Sequence, residues 1–280
     1  MTAAVEPVRN GPRTAAVELT GVGKTFRGRT SVVALDDVDL TIAAGEFVTF
    51  IGPSGCGKST LLRLIGDLTE PTTGTVTVNG KTARQARLDQ DYGIAFQQAG
   101  LMEWRTVARN VELPLELRGW DRGRRRAHAR ELLELVGLPE FADAWPAELS
   151  GGMQQRVAIA RALATGPKLL LMDEPFGALD EMTRERLQAE LTRIARESGA
   201  TVVFVTHSIP EAVYLSDRVV VLSARPGRVA ATVTVALGDR TDDTREAPEF
   251  FVKVTEVREA LRGRRTDRTG RPVVPAAEER

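Results

Sequence analysis

A near-continuous apolar run, Glu46-Phe47-Val48-Thr49-Phe50-Ile51, passes directly into Gly52-Pro53-Ser54-Gly55-Cys56-Gly57-Lys58-Ser59-Thr60. A run with so little polar alternation suits a strand buried on both faces, and such strands belong to parallel sheets covered by helices. Leu61, Leu64, Ile65 and Leu68 then recur at helical spacing. Strand, glycine loop and helix in that order commit the chain to an α/β core.

The loop fits G-x-x-x-x-G-K-[ST], with Gly52, Gly57, Lys58 and Ser59 at the fixed positions. With Ser54, Gly55, Cys56 and Thr60 it makes a turn whose backbone N–H groups can close around a β-phosphate, and the helix N-terminus adds partial positive charge. Lys58 can neutralise β/γ oxygens and Ser59 can ligate Mg²⁺, so the pattern points to ATP with Mg²⁺ rather than to an incidental turn. Cys56 is the chain's one cysteine. A thiol at a helix N-terminus beside a phosphate site is expected to be accessible, unless it only fills a variable loop position.

A second glycine-opened helix start lies at Leu149-Ser150-Gly151-Gly152-Met153-Gln154-Gln155-Arg156. Ser150 reads as an N-cap, and Gly151 and Gly152 expose the first N–H groups of a helix running to Ala164. Taken alone, this is a capped helix. One nucleotide needs only one cradle, so the second raises the question of whose phosphate it holds.

The other apolar strands end on chemically useful residues. Tyr92-Gly93-Ile94-Ala95-Phe96 leads to Gln97, Leu169-Leu170-Leu171-Met172 to Asp173-Glu174, and Val202-Val203-Phe204-Val205 to Thr206-His207. Ligands collect at the carboxyl ends of parallel strands, so these ends and the glycine loop should converge on one site. Asp173 suits the Mg²⁺ shell and Glu174 suits polarisation of an attacking water, although either acid alone could be a helix cap. His207 reads as a phosphate contact from its strand-end position; the alternative is a buried, hydrogen-bonded imidazole.

These motifs, in this order, resemble the nucleotide-binding subunit of ATP-binding cassette transporters over about residues 16–230. The resemblance implies a P-loop NTPase core with a mixed sheet, an N-terminal antiparallel β layer and a helical signature subdomain inserted at about 98–164. It implies two copies pairing head to tail, each ATP lying between Lys58 of one chain and Ser150, Gly151 and Gly152 of the other. By the same match Gln97 senses Mg²⁺ and the membrane partner, and Ser59, Gln97 and Asp173 hold the metal. Glu174, His207 and Lys58 carry catalysis, Gly177-Ala178-Leu179-Asp180 crosses the dimer interface, and Phe26 stacks on adenine. Phe26 as an ordinary core residue is the alternative.

Within that family, Phe96-Gln97 through Leu101-Met102-Glu103-Trp104, His207-Ser208-Ile209-Pro210-Glu211-Ala212 and Ala224-Arg225-Pro226-Gly227-Arg228 resemble the branch serving nitrate, sulfonate, taurine and pyrimidine-precursor importers. The branch implies integral membrane permease subunits as partners, a solute-binding protein indirectly, and a place on the cytoplasmic face of the cell membrane. Two departures are Glu103, where a proline is expected before the Trp, and Gly66-Asp67, where Ala-Gly is usual. Glu103 falls where the partner should dock, which leaves the solute open. Trp104 either faces that partner or packs inside the helical insert.

An exporter subunit remains the nearest rival. DNA-repair ATPases that share the loop separate their two motifs by coiled coils or zinc modules, whereas fewer than a hundred residues part Lys58 from Ser150 here, with no heptads and no Cys pairs. Ribosome-associated relatives normally carry two cassettes per chain. Lys+Arg and Asp+Glu balance at 38 each, so nothing calls for nucleic acid, and the run Arg122 to Arg130 with His128 reads as a solvated helix face. The apolar runs fall far short of the ~20 residues that span a bilayer. A membrane role would therefore go through a partner.

The boundaries expected are a disordered N-terminus at 1–15, the cassette at 16–230, an extension at 231–262 and a disordered tail at 263–280. Phe250, Phe251, Val254, Val257 and Leu261 give the extension an amphipathic helix, and another spans Thr183 to Ser198.

Overall fold

The computed structural model of the chain describes residues 14–28, 30–263, 265–266 and 272–273. Most of the two segments expected to be disordered, 1–13 and the remainder of 264–280, lies outside the described residues. Strand β1 (Ala15–Phe26) pairs antiparallel with β2 (Val32–Ala43), Val17 opposite Ile42 and Leu19 opposite Leu40. Alternation along the two strands makes a buried face of Val17, Leu19, Val38, Leu40 and Ile42.

Strand β3 (Phe47–Ile51) is buried along its length and feeds the glycine loop into α1 (Lys58–Ile65). The helix stops before Leu68, which is 44% exposed rather than part of the apolar stripe. Asp67 takes the left-handed conformation (φ 49), while Leu68 N–H bonds Arg63 O at 2.9 Å and Asp67 N–H bonds Leu64 O at 3.2 Å. This is a Schellman ending, built on an aspartate where glycine is usual.

Strands β4 (Thr73–Val78) and β5 (Lys81–Thr82) complete a four-stranded antiparallel layer in the order β2-β1-β4-β5, and α2 (Ala83–Leu88) follows. Then come β6 (Tyr92–Ala95) and a helical block of α3 (Val107–Leu117), α4 (Arg122–Leu135) and α5 (Gly151–Leu163). Thr106, Asp121 and Ser150 cap the three helices with their side-chain oxygens. Arg122, Arg124, Arg126 and Arg130 are exposed as expected, while His128 is half-buried, its Nε2 3.1 Å from Ala164 O and its ring 5.8 Å from Trp120.

The rest of the central sheet is β7 (Leu169–Asp173), α6 (Glu181–Ser198), β8 (Thr201–Val205), α7 (Ile209–Leu215), β9 (Arg218–Leu222) and β10 (Val229–Thr234). Helix α6 starts two residues earlier than its apolar pattern, because Asp180 accepts from Thr183 N–H at 2.9 Å and caps it. The six strands run β10-β9-β3-β8-β7-β6, with β10 antiparallel to β9 and the others parallel. The α/β architecture, mixed sheet and antiparallel layer are those the motifs implied.

Alternation along β3 divides the core. Val48 and Phe50 face the antiparallel layer and α1, whereas Phe47 and Ile51 face the helices. Helix α8 (Pro248–Leu261) joins that second cluster through Phe250, Val254 and Val257, and β10 adds Val233. The stretch 231–262 thus shares the main core. Strand β11 (Arg265–Thr266) pairs antiparallel with β12 (Pro272–Val273).

Candidate functional site

The glycine loop is shaped by one residue above all. Gly57 has φ 104, and a Cβ there would lie 2.7 Å from Leu35 Cδ2, so only glycine closes the loop onto α1. As the N-cap it has no side chain to offer, which leaves first-turn N–H groups to a ligand. Lys58, 8% exposed, is anchored at the loop by donating from Nζ to Gly52 O (2.9 Å) and Pro53 O (3.1 Å). Cys56 departs from expectation. Its thiol is 1% exposed, and a Cβ added at Gly52 would lie 2.7 Å from its Sγ, because the loop curls over it.

Asp173, at the end of β7, is 3% exposed and accepts from Ser59 Oγ at 2.8 Å. Burial pushes its carboxyl above the usual range, opposed by the Ser59 hydrogen bond and by Arg63. A buried carboxylate short of compensating charge, beside a hydroxyl, suits Mg²⁺, which binds through one or two such groups plus substrate phosphates. The donor set present therefore fits that ion.

Glu174 follows with a left-handed backbone (φ 48), held by its N–H to Val205 O at 2.9 Å. A non-glycine residue in that region is uncommon and costs energy, and such strain clusters at functional sites. The turn points its carboxylate between two neighbours: Glu174 Oε2 is 3.4 Å from Gln97 Nε2 and 3.3 Å from His207 Nδ1. The strand ends that carry Gln97, Asp173, Glu174 and His207 do converge, and the glycine loop joins them through Ser59.

Ser150, Gly151 and Gly152 stand apart from this cluster. The Ser150 hydroxyl accepts from Met153 N–H at 3.3 Å, and no hydrogen bond among the described residues links it to Lys58, Ser59, Asp173, Glu174 or His207. A Cβ at Gly152 would sit 3.1 Å from Ala178 O, so the helix start is packed closely on the Gly177 to Asp180 turn. From the same helix Gln155 donates to Phe96 O (2.8 Å), and the half-buried Arg161 donates to Ala99 O (2.7 Å) and Gly100 O (2.9 Å). Helix α5 therefore grips the segment on both sides of Gln97. Neither contact is legible in the sequence, although Gln155 lies within the second glycine motif, since no spacing marks a side chain that bonds backbone some sixty positions away.

Phe26 is 46% exposed at the tip of the β1–β2 pair, with Lys24 Nζ 5.2 Å from its ring centre, so it is not a core residue. Trp104 is 72% exposed and does not pack within the helical block. It lines a charged cleft with Arg105, Arg109, Glu112, Arg125 and Trp145, separate from an apolar groove of about 440 Å³ between β6 and α3, lined by Tyr92, Ile94, Phe96, Met102, Leu113 and Leu117.

A model of the family described as ABC transporter matches residues 35–177. The nitrate import ATP-binding protein NrtD of Synechocystis sp. is 47% identical over 261 residues, covering 90% of this chain and 97% of that protein. The taurine import ATP-binding protein TauB of Rhizobium johnstonii is 48% identical, covering 84% of this chain and 89% of that protein. Among solved structures, a dimeric ATP-binding cassette in a post-hydrolysis state with ADP and Pi aligns with a TM-score of 0.73 at 39% identity, over 79% of this chain and 99% of that one.

Proposed function

The chain belongs to the ABC transporter family as an ATP-binding ATPase, and from that premise we propose that it drives an importer, two copies closing around two ATP molecules. The observation that carries the reading is the carboxylate of Glu174 set between Gln97 and His207, next to the Ser59–Asp173 pair.

In this mechanism the loop N–H groups and Lys58 take the β- and γ-phosphates once the amine leaves the Gly52 and Pro53 carbonyls. Ser59 and Asp173, with Gln97, would hold Mg²⁺, which supplies charge neutralisation on the phosphate oxygens. Glu174 accepts a proton as water attacks the γ-phosphorus. The new P–O bond forms as the bond to the β-phosphate oxygen breaks, leaving ADP and Pi. His207 contacts the γ-phosphate and steadies the Glu174 carboxylate. Phe26 offers an exposed ring to adenine. Ser150, Gly151 and Gly152, unengaged with the site of their own chain, cap the γ-phosphate of the facing copy.

No helix among the described residues is long and apolar enough to cross a membrane. The apolar groove between β6 and α3 suits a helix from a permease subunit, and α5, whose Arg161 lines that groove, would pass the contact to Gln97 and Ser150. The chain then sits peripherally on the cytoplasmic face, with a solute-binding protein supplying the permease. The identities to nitrate and taurine import proteins favour a small anion of that kind, and the branch that the motifs resemble adds a sulfonate or a pyrimidine precursor. Deleting the gene should abolish uptake of one of these solutes, and wild type but not Glu174→Gln should restore it. Unchanged uptake of all of them would overturn the importer assignment.

A further inference from the structure

We propose that Arg245 is a positioning residue for His207: it fixes the orientation of the Gln188 amide and, through it, the Glu211 carboxylate that accepts from the Thr206 hydroxyl beside the histidine. The proposal rests on the reading of His207 as a phosphate contact and deepens it.

The route is continuous. Arg245, after β10, lays its guanidinium carbon 3.6 Å from the Tyr214 ring centre and donates from Nη2 to Gln188 Oε1 at 2.5 Å, with Glu185 3.6 Å from its Nε. Gln188, 2% exposed on α6, donates from Nε2 to Glu211 Oε1 at 2.7 Å. Glu211, 8% exposed, also accepts from the hydroxyl of Thr206, which in turn accepts from Ser208 N–H at 3.0 Å. The Ser208 hydroxyl accepts from Glu211 N–H at 3.4 Å. That last bond is the N-cap of α7, so the carboxylate reaches Ser208 only through the Thr206 hydroxyl, while the imidazole, 72% exposed, points at Glu174.

Donor and acceptor chemistry gives the chain a direction. A guanidinium only donates, so it must meet the oxygen of the Gln188 amide. The NH₂ group then faces Glu211 and requires an acceptor oxygen there, which accepts most strongly when the carboxyl is ionised. Burial opposes that form and pushes the Glu211 carboxyl up, against Thr206, Gln188, Arg184 and His207, which favour the charge. Without Arg245 the amide is free to turn its oxygen toward a protonated Glu211, and the hold on Thr206 relaxes. Arg184, which faces Glu211, also donates to Leu179 O at 2.6 Å, so the same buried group borders the turn under Gly152. A cavity of about 280 Å³ between α6, α7 and Arg245 opens onto Glu174 and His207, which gives the loop room to shift.

The test compares full-length wild type with Arg245→Ala, Arg245→Lys, Glu211→Gln, Arg245→Ala/Glu211→Gln and His207→Ala, measuring Mg-ATP turnover and nucleotide binding. Arg245→Ala should lower kcat ~5- to 20-fold, within the span of coupled hydrogen-bond networks, with ATP affinity unchanged. Arg245→Lys should recover part of the loss. Adding Arg245→Ala to Glu211→Gln should cost less than about twofold more, since both act along one path. Normal kcat in Arg245→Ala overturns the inference. So does parallel loss of ATP binding, which marks general scaffolding, and so does full additivity in the double variant. Normal turnover in His207→Ala would instead overturn the reading of His207 itself.

Discussion

Replacing Asp173 by asparagine should make the nucleotide-free chain more stable while disabling it. The carboxyl is 3% exposed and is held above its usual range, chiefly by burial. The sign follows from linkage: an acid with a raised folded-state value binds its proton more tightly folded than unfolded. Its stabilising contribution is complete below the ordinary carboxylate range and is lost as pH rises through the folded value. At neutral pH the cost of the buried charge is fully present. Asparagine keeps an oxygen for Ser59 Oγ, now at 2.8 Å, and removes the buried charge, whose desolvation outweighs every other effect on the group; the loss of the attraction to Arg63 and of a weaker one to Lys58 is offset in part by relief of the repulsion with Glu174. The net gain should be about 1 kcal/mol, as for other substitutions that relieve a functional site, or about 2 °C in Tm for a domain of this size. Thermal melts at pH 7.5 without nucleotide read it directly, and the gap should narrow as the buffer is acidified. Mg-ATP should raise the Tm of wild type but not of the variant. A variant that melts below wild type at pH 7.5 would refute the reasoning.

Lys58→Ala should lower ATP turnover ~10²-fold or more, because a preorganised cation leaves the phosphates; near-normal turnover would reject the loop assignment. Ser150→Arg should leave ATP binding by the single chain intact and abolish turnover, since the side chain would block the facing copy's γ-phosphate, while loss of the cap costs ~1 kcal/mol. Loss of binding in that variant would mean a local folding role. Cys56 should react slowly with a bulky maleimide whether or not Mg-ATP is present, as its thiol is 1% exposed; rapid labelling of the folded chain would contradict that burial.

The sequence was most legible where function and local chemistry coincide. The Gly52 to Thr60 loop shows itself because glycine spacing, a buried strand before it and an apolar helix after it are all local signals. Strand-end acids and His207 could be placed together by the rule for parallel sheets alone. Other features depend on contacts that no window contains. The Arg245–Gln188 bond joins positions 57 apart. The left-handed backbone of Glu174 carries no glycine or asparagine to announce it. Strand β10 escaped notice because its edge position leaves most of its residues half-exposed or exposed, with Val233 alone buried. Leu68 kept helical spacing past a terminus set by Asp67, and Cys56 was misjudged because the curl of the loop decides which way a small side chain faces.

The central claim is that each ATP is shared between Lys58 of one copy and Ser150 of another, and Glu174→Gln tests it most directly. The amide keeps the size of the side chain but cannot accept the proton of the attacking water, a change worth ~10² to 10⁴ in rate. Sizing the variant by light scattering with and without Mg-ATP, and counting the nucleotide retained, should give a dimer holding two ATP molecules only when Mg-ATP is present. A variant that turns over ATP at the normal rate, or one that binds ATP and stays a monomer, would contradict the account.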